Sequence, residues 1–92
     1  MTNLIIAYDL NQPGQNYEAV TGAICSLGGW YKLQYSLFYV QAKLSIEQAY
    51  DFIRAFMDVN DKLMVADAST MKFGNYTGFD ITAVQRAWLN AA

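Results

Sequence analysis

The chain opens on a short, unbroken apolar run, Leu4-Ile5-Ile6-Ala7-Tyr8, which ends on an acid, Asp9. A run this short, rich in Ile and Leu and apolar at both parities, predicts a strand over residues 3–9. A strand apolar on both faces belongs in the middle of a sheet. Asn11-Gln12-Pro13-Gly14 is turn chemistry. Beyond it, Tyr17, Val20, Ile24 and Leu27 recur at helical spacing, with Asn16 placed to cap the helix. Gly28 is read as its left-handed C-terminal stop. Gly22 lies inside the pattern at a cost of about 1 kcal/mol relative to alanine, a cost that close packing on the sheet would explain.

Residues 30–34 and 36–42 are dense in aromatic and β-branched side chains. They predict two short strands, or one long bent strand, with the break near Tyr35. Ser45-Ile46-Glu47-Gln48 is a capping box, and Ile46, Ala49, Tyr50, Ile53 and Met57 fall on one face of the helix it starts. Asn60-Asp61 turns the chain into an apolar strand over 62–68. The aromatic, glycine-rich stretch 73–79 reads as an edge strand or an ordered loop. Asp80 then caps a terminal helix in which Ile81, Val84 and Trp88 share a face.

Strand, helix, strand, strand, helix, strand is the order of an α+β, ferredoxin-like βαββαβ split unit. Right-handed crossovers place both helices on one face of a four-stranded antiparallel sheet. The whole chain, 1–92, is expected to be one domain, with a core over 1–70 and a C-terminal appendage of strand or loop and short helix over 71–92. Such a unit leaves the second sheet face bare. Strands apolar on both sides cannot give that face to water, so two copies are expected to pack face to face as a homodimer.

Composition sharpens the picture. Apolar residues make up 54% of the chain and charged residues 15%, a balance that also favours association. The net charge is −2, and no Lys or Arg precedes Lys32. Non-specific nucleic-acid binding draws most of its affinity from phosphate neutralisation, so RNA or DNA is expected to bind weakly. Folding can still gather Lys32, Lys43, Lys62 and Lys72. The absence of histidine excludes histidine-ligated metals and Ser-His or Cys-His catalysis. Cys25, the single cysteine, reads as a small buried hydrophobe. Neither a signal-like start nor a membrane-length apolar run is present, so a soluble, cytoplasmic protein without membrane contact is expected.

Specific residues carry a family resemblance. Tyr8-Asp9 closing the first strand, Leu27-Gly28, the stretch Lys32-Leu33-Gln34-Tyr35-Ser36-Leu37-Phe38 and Leu44-Ser45 resemble the small CRISPR-associated family Cas-two over roughly residues 3–68. Pro13-Gly14-Gln15-Asn16-Tyr17, Asn60-Asp61-Lys62-Leu63 and the segment from Gly78-Phe79 to Trp88-Leu89 resemble its SinR-like relatives over almost the whole chain. The VapD toxin family is similar in fold. The resemblance implies a ferredoxin-like homodimer. In some members, the acids ending the two first strands meet at the interface and hold one divalent metal that assists phosphodiester hydrolysis. Asp9 is the matching position. The chain also departs from the pattern. Gln15, Asn16 and Glu18 stand where many members carry basic residues, and Tyr39 stands where an acid often follows the Phe. Both changes weaken a DNA-scaffold role.

Two chemistries are therefore weighed at Asp9. As a hard-cation ligand, one carboxylate from each protomer plus waters suits Mg²⁺. As a structural group, Asp9 accepts amide hydrogens in an Asx-type turn. Ser36 either positions a phosphate or water, or is a small sheet residue. Asp58 and Asp61 flank a turn and read as solvated or capping acids, whereas Asp67 is expected to face either the helices or the partner. Trp30, Tyr31, Tyr35, Phe38 and Tyr39 form either a base-stacking platform or part of the dimer interface. The expected function is a Mg²⁺-dependent ribonuclease or nuclease acting at the carboxylate pair. The alternatives are a non-catalytic scaffold or protein-interaction module that recruits a protein partner through edge strands or the C-terminal segment, and a CRISPR spacer-acquisition subunit.

Overall fold

The computed structural model describes residues 2–10, 17–68, 70, 72, 74, 76 and 78–89. In chain order the elements are β1 (Thr2–Asp9), α1 (Tyr17–Cys25), β2 (Gly28–Gln34), β3 (Leu37–Ala42), α2 (Ile46–Arg54), β4 (Lys62–Asp67) and α3 (Gly78–Leu89). The strands form one sheet in the order β2-β3-β1-β4, with every neighbouring pair antiparallel. This is the α+β arrangement expected from the sequence, with β1 in the interior of the sheet. The turn that opens the 11–16 segment and the Asn16 cap lie outside the described residues, as do residues 73, 75 and 77 of the 73–79 stretch.

Burial along β1 alternates. Leu4, Ile6 and Tyr8 are buried, and Ile5 and Ala7 are half-buried. The buried set meets Phe38, Val40 and Ala42 of β3, Val20 and Ile24 of α1, and Ala49 and Ile53 of α2 in one core. The capping box forms as its spacing predicts: the Gln48 N–H donates to Ser45 Oγ at 3.2 Å, and the Ser45 N–H donates to Gln48 Oε1 at 3.0 Å. Of the apolar face expected on α2, Ala49 and Ile53 are buried, whereas Ile46 and Tyr50 are exposed.

Both glycine readings are corrected. Gly28 is not a left-handed stop but the first residue of β2, where a Cβ would overlap the Gln41 carbonyl oxygen. The end of α1 is satisfied instead by Ser26 Oγ donating to the Ala23 carbonyl at 2.7 Å and by the Leu27 N–H donating to the Ile24 carbonyl at 3.2 Å. Gly22 is exposed and faces open space, so it does not serve close packing on the sheet.

The second sheet face is not bare. β3 is buried on both sides, and Tyr39 and Gln41, which point away from the α1–α2 core, are 0% and 7% exposed. α3 lies against β2 and β3, and its Val84 is buried. The closing helix therefore covers the β2–β3 half of that face. With 12 residues it is longer than the 9-residue α1 and α2. It also begins at Gly78, two residues before the Asp80 start expected from the sequence; Thr82 Oγ1 donates to the Gly78 carbonyl at 2.8 Å. The side chains of Ile81 and Trp88 lie outside the described set. The β1–β4 half of the face keeps Ile5, Ala7 and Ala66 half-buried and Met64 50% exposed. Among the described residues, no helix is long and apolar enough to cross a membrane.

Candidate active site at the end of β1

β1 delivers Asp9 to the rim of the sheet, opposite Lys62 of β4 in the register. The turn between β2 and β3 folds over the same rim. Its Ser36 carbonyl accepts the Tyr8 N–H at 3.2 Å, tying the turn to β1 next to the acid. Ser36 has a φ of 57°, in the left-handed region that a non-glycine residue enters at a cost. Asp9 and Ser36, the two site residues expected from the sequence, thus line one cleft of about 590 Å³. Leu10, Tyr8, Tyr17, Thr21, Lys32 and Tyr35 complete its wall.

The wall is ordered by the core beneath it. Tyr8 stacks on Phe38 with ring centroids 6.3 Å apart and meets Tyr17 at 6.0 Å. Its hydroxyl lies 3.2 Å from Thr21 Oγ1, so β1 and α1 are joined by a hydrogen bond inside the cleft. Lys32 pairs with Phe38 in the β2–β3 register, which puts it on the helix side of the sheet. Its Nζ sits 4.8 Å from the centroid of the Tyr35 ring, a cation–π contact. The sequence gave Lys32 as one of several scattered cations and as the start of the family-like stretch, read Tyr17 as part of the apolar helix face, and gave Thr21 no role. Strand alternation was the available signal for Lys32; the hydroxyls required the fold.

Asp9 also borders a smaller depression of about 250 Å³ with Ala7, Tyr8, Lys62, Leu63 and Met64. The acid is therefore reached both from the cleft and from the uncovered β1–β4 half of the sheet.

Among the described residues, Asp9 is the acid that lines this cleft. Asp61 is buried, and its Oδ2 accepts the Asp58 N–H at 2.8 Å, the capping use expected of it. Arg54 clasps the same turn, donating from Nη1 to the Asp61 carbonyl at 2.7 Å and from Nη2 to the Val59 carbonyl at 2.9 Å. Asp67 sits opposite Leu4, at the other end of β4 from Lys62. Among the described residues, no group of three or more His, Cys, Asp or Glu could hold a metal. One chain thus offers a single carboxylate at the cleft. That suits a hard cation only as one member of a donor set completed by waters, phosphate oxygens or a second copy.

The aromatic set does not form one surface. Phe38 is in the α1–α2 core, Tyr39 is under the opposite face, and Trp30 and Tyr35 are exposed. Phe38 and Tyr39 are therefore unavailable to a partner. Cys25 is half-buried against the core, and burial pushes its thiol pKa up, which makes it a poor nucleophile at neutral pH.

Compared with known proteins, the chain matches no family model and no curated protein.

Proposed function

We propose that this chain is a cytoplasmic, homodimeric nuclease related to Cas-two, hydrolysing RNA or DNA phosphodiesters at the cleft beside Asp9. One observation carries the reading: Asp9, Lys32 and Ser36, separated along the sequence, line the same cleft. A carboxylate for a hard cation, an ammonium for phosphate oxygens and a hydroxyl to orient a phosphate or water are the groups that phosphodiester hydrolysis uses.

Asp9 would contribute a carboxylate ligand to Mg²⁺, and that ion would polarise a phosphate and activate a water. Lys32 neutralises a non-bridging phosphate oxygen, as an ammonium does without fixing its angle. Ser36 donates to a phosphate or water from a turn anchored to β1. The half-buried and exposed apolar residues Ile5, Ala7, Met64 and Ala66 support a twofold interface on the β1–β4 half of the sheet. A twofold axis passing near Asp9 would bring two carboxylates together, a like-charge pair that a bound cation would neutralise.

The test is cleavage of single-stranded and duplex RNA and DNA by the wild type and by Asp9→Ala, with Mg²⁺ or with EDTA. Mg²⁺-dependent cleavage that falls about 100-fold or more in the variant is expected, the several kcal/mol a polarising cation supplies. Equal cleavage by both proteins contradicts the mechanism.

A non-catalytic interaction module is the second reading. Phe52 and Phe56 favour it: they meet edge to face at 5.6 Å and are 41% and 42% exposed on the outside of α2 and the turn after it. It predicts no cleavage under any of these conditions.

A further inference from the structure

Tyr35 is 91% exposed, the most exposed of the large apolar side chains among the described residues. An aromatic ring this exposed adds nothing to the core and offers a ligand the face that Lys32 does not cover. The turn that carries the ring is nevertheless held in place. Tyr35-Ser36 is the turn between β2 and β3, Ser36 is fixed at a φ of 57°, and its carbonyl is bonded to β1. Lys32 Nζ stands 4.8 Å from the ring centroid, and both residues line the cleft that contains Asp9.

We propose that Tyr35 is a base-stacking, substrate-positioning residue, with one unpaired base of a single-stranded nucleic acid lying on its ring and the adjoining phosphate on Lys32. The inference rests on the nuclease reading of the same cleft and names what that cleft grips. In a duplex both faces of each base are covered by its neighbours, so only an unpaired base can offer a face to a ring at a turn. The net charge of −2 leaves little general attraction for phosphate, so stacking must carry a large share of the affinity. With Lys32 as the phosphate partner in each cleft, the salt dependence is shallow, with a slope of about −0.7 per cleft in log K against log salt.

The test is fluorescence anisotropy of labelled single-stranded oligonucleotides in EDTA, which separates binding from cleavage, using wild type, Tyr35→Ala and Tyr35→Phe. Tyr35→Ala is expected to bind about tenfold more weakly, and Tyr35→Phe, which keeps the ring, within about twofold of wild type. An oligonucleotide of the same length with abasic sites should bind wild type as weakly as the intact one binds Tyr35→Ala, and a duplex should bind no better. Under Mg²⁺, Tyr35→Ala should raise KM more than it lowers kcat. Unchanged affinity or KM in Tyr35→Ala, equal binding of the abasic strand, or no binding by wild type overturns the inference. Tyr35-dependent binding without cleavage overturns the nuclease reading and leaves this one. Asp9-dependent cleavage that ignores Tyr35 does the reverse.

Discussion

Tyr39 shows what one side chain gains from the second sheet face being covered. It is fully buried, and its hydroxyl donates to Asn3 Oδ1 at 2.6 Å. Burial raises its phenol pKa above the ordinary value. As pH passes about 10, the unfolded chain loses this proton first, so the unfolded state binds fewer protons and stability falls with rising pH. Below that pH the contribution is fully present. Tyr39→Phe is therefore expected to flatten the alkaline fall in Tm when both proteins are scanned by calorimetry from about pH 8 to 11. At neutral pH it should cost about 1 kcal/mol for the lost hydrogen bond. An alkaline limb identical to wild type would show that the buried phenol is not its source. In the sequence Tyr39 was one of five clustered aromatics. Only the packing separates it from Tyr35, four residues earlier and in water.

Elements whose signals are local were legible, and those that depend on distant neighbours were not. Ser45 and Gln48 are three residues apart, and their reciprocal hydrogen bonds form as the capping box implies. The break near Tyr35 followed from strand composition alone. Gly28 misled because Leu27-Gly28 after a helical pattern matches a helix stop, whereas what actually requires glycine there is Gln41 on the next strand. Gly28→Ala places a methyl group against backbone that cannot swing aside, so β2 must separate from β3. The expected loss is about 2–3 kcal/mol, measured as a lower urea midpoint at unchanged slope. A midpoint within error of wild type would mean that the strands part at no cost. The site of α3 was likewise hidden, because its pairing with β2 and β3 spans nearly half of the chain.

At the scale of the whole molecule, the fold was legible as an α+β unit with one four-stranded antiparallel sheet and β1 inside it. Of the cleft's lining, the sequence singled out Asp9 and Ser36 as candidate site residues, and the fold brings them together. Lys32, Tyr17 and Thr21 joined it only because β2 and α1 converge on the end of β1. Since α3 occupies half of the second sheet face, the proposed twofold contact is confined to β1 and β4, the half that ends at Asp9. The account's central claim is that two such acids act as one site. The most direct measurement is the rate of Mg²⁺-dependent cleavage in dimers re-formed from wild type and Asp9→Ala mixed in varied proportion. If both acids are needed, the rate follows the square of the wild-type fraction, so an equal mixture retains about a quarter of the activity. A rate proportional to the wild-type fraction, or no cleavage by wild type alone, would contradict it.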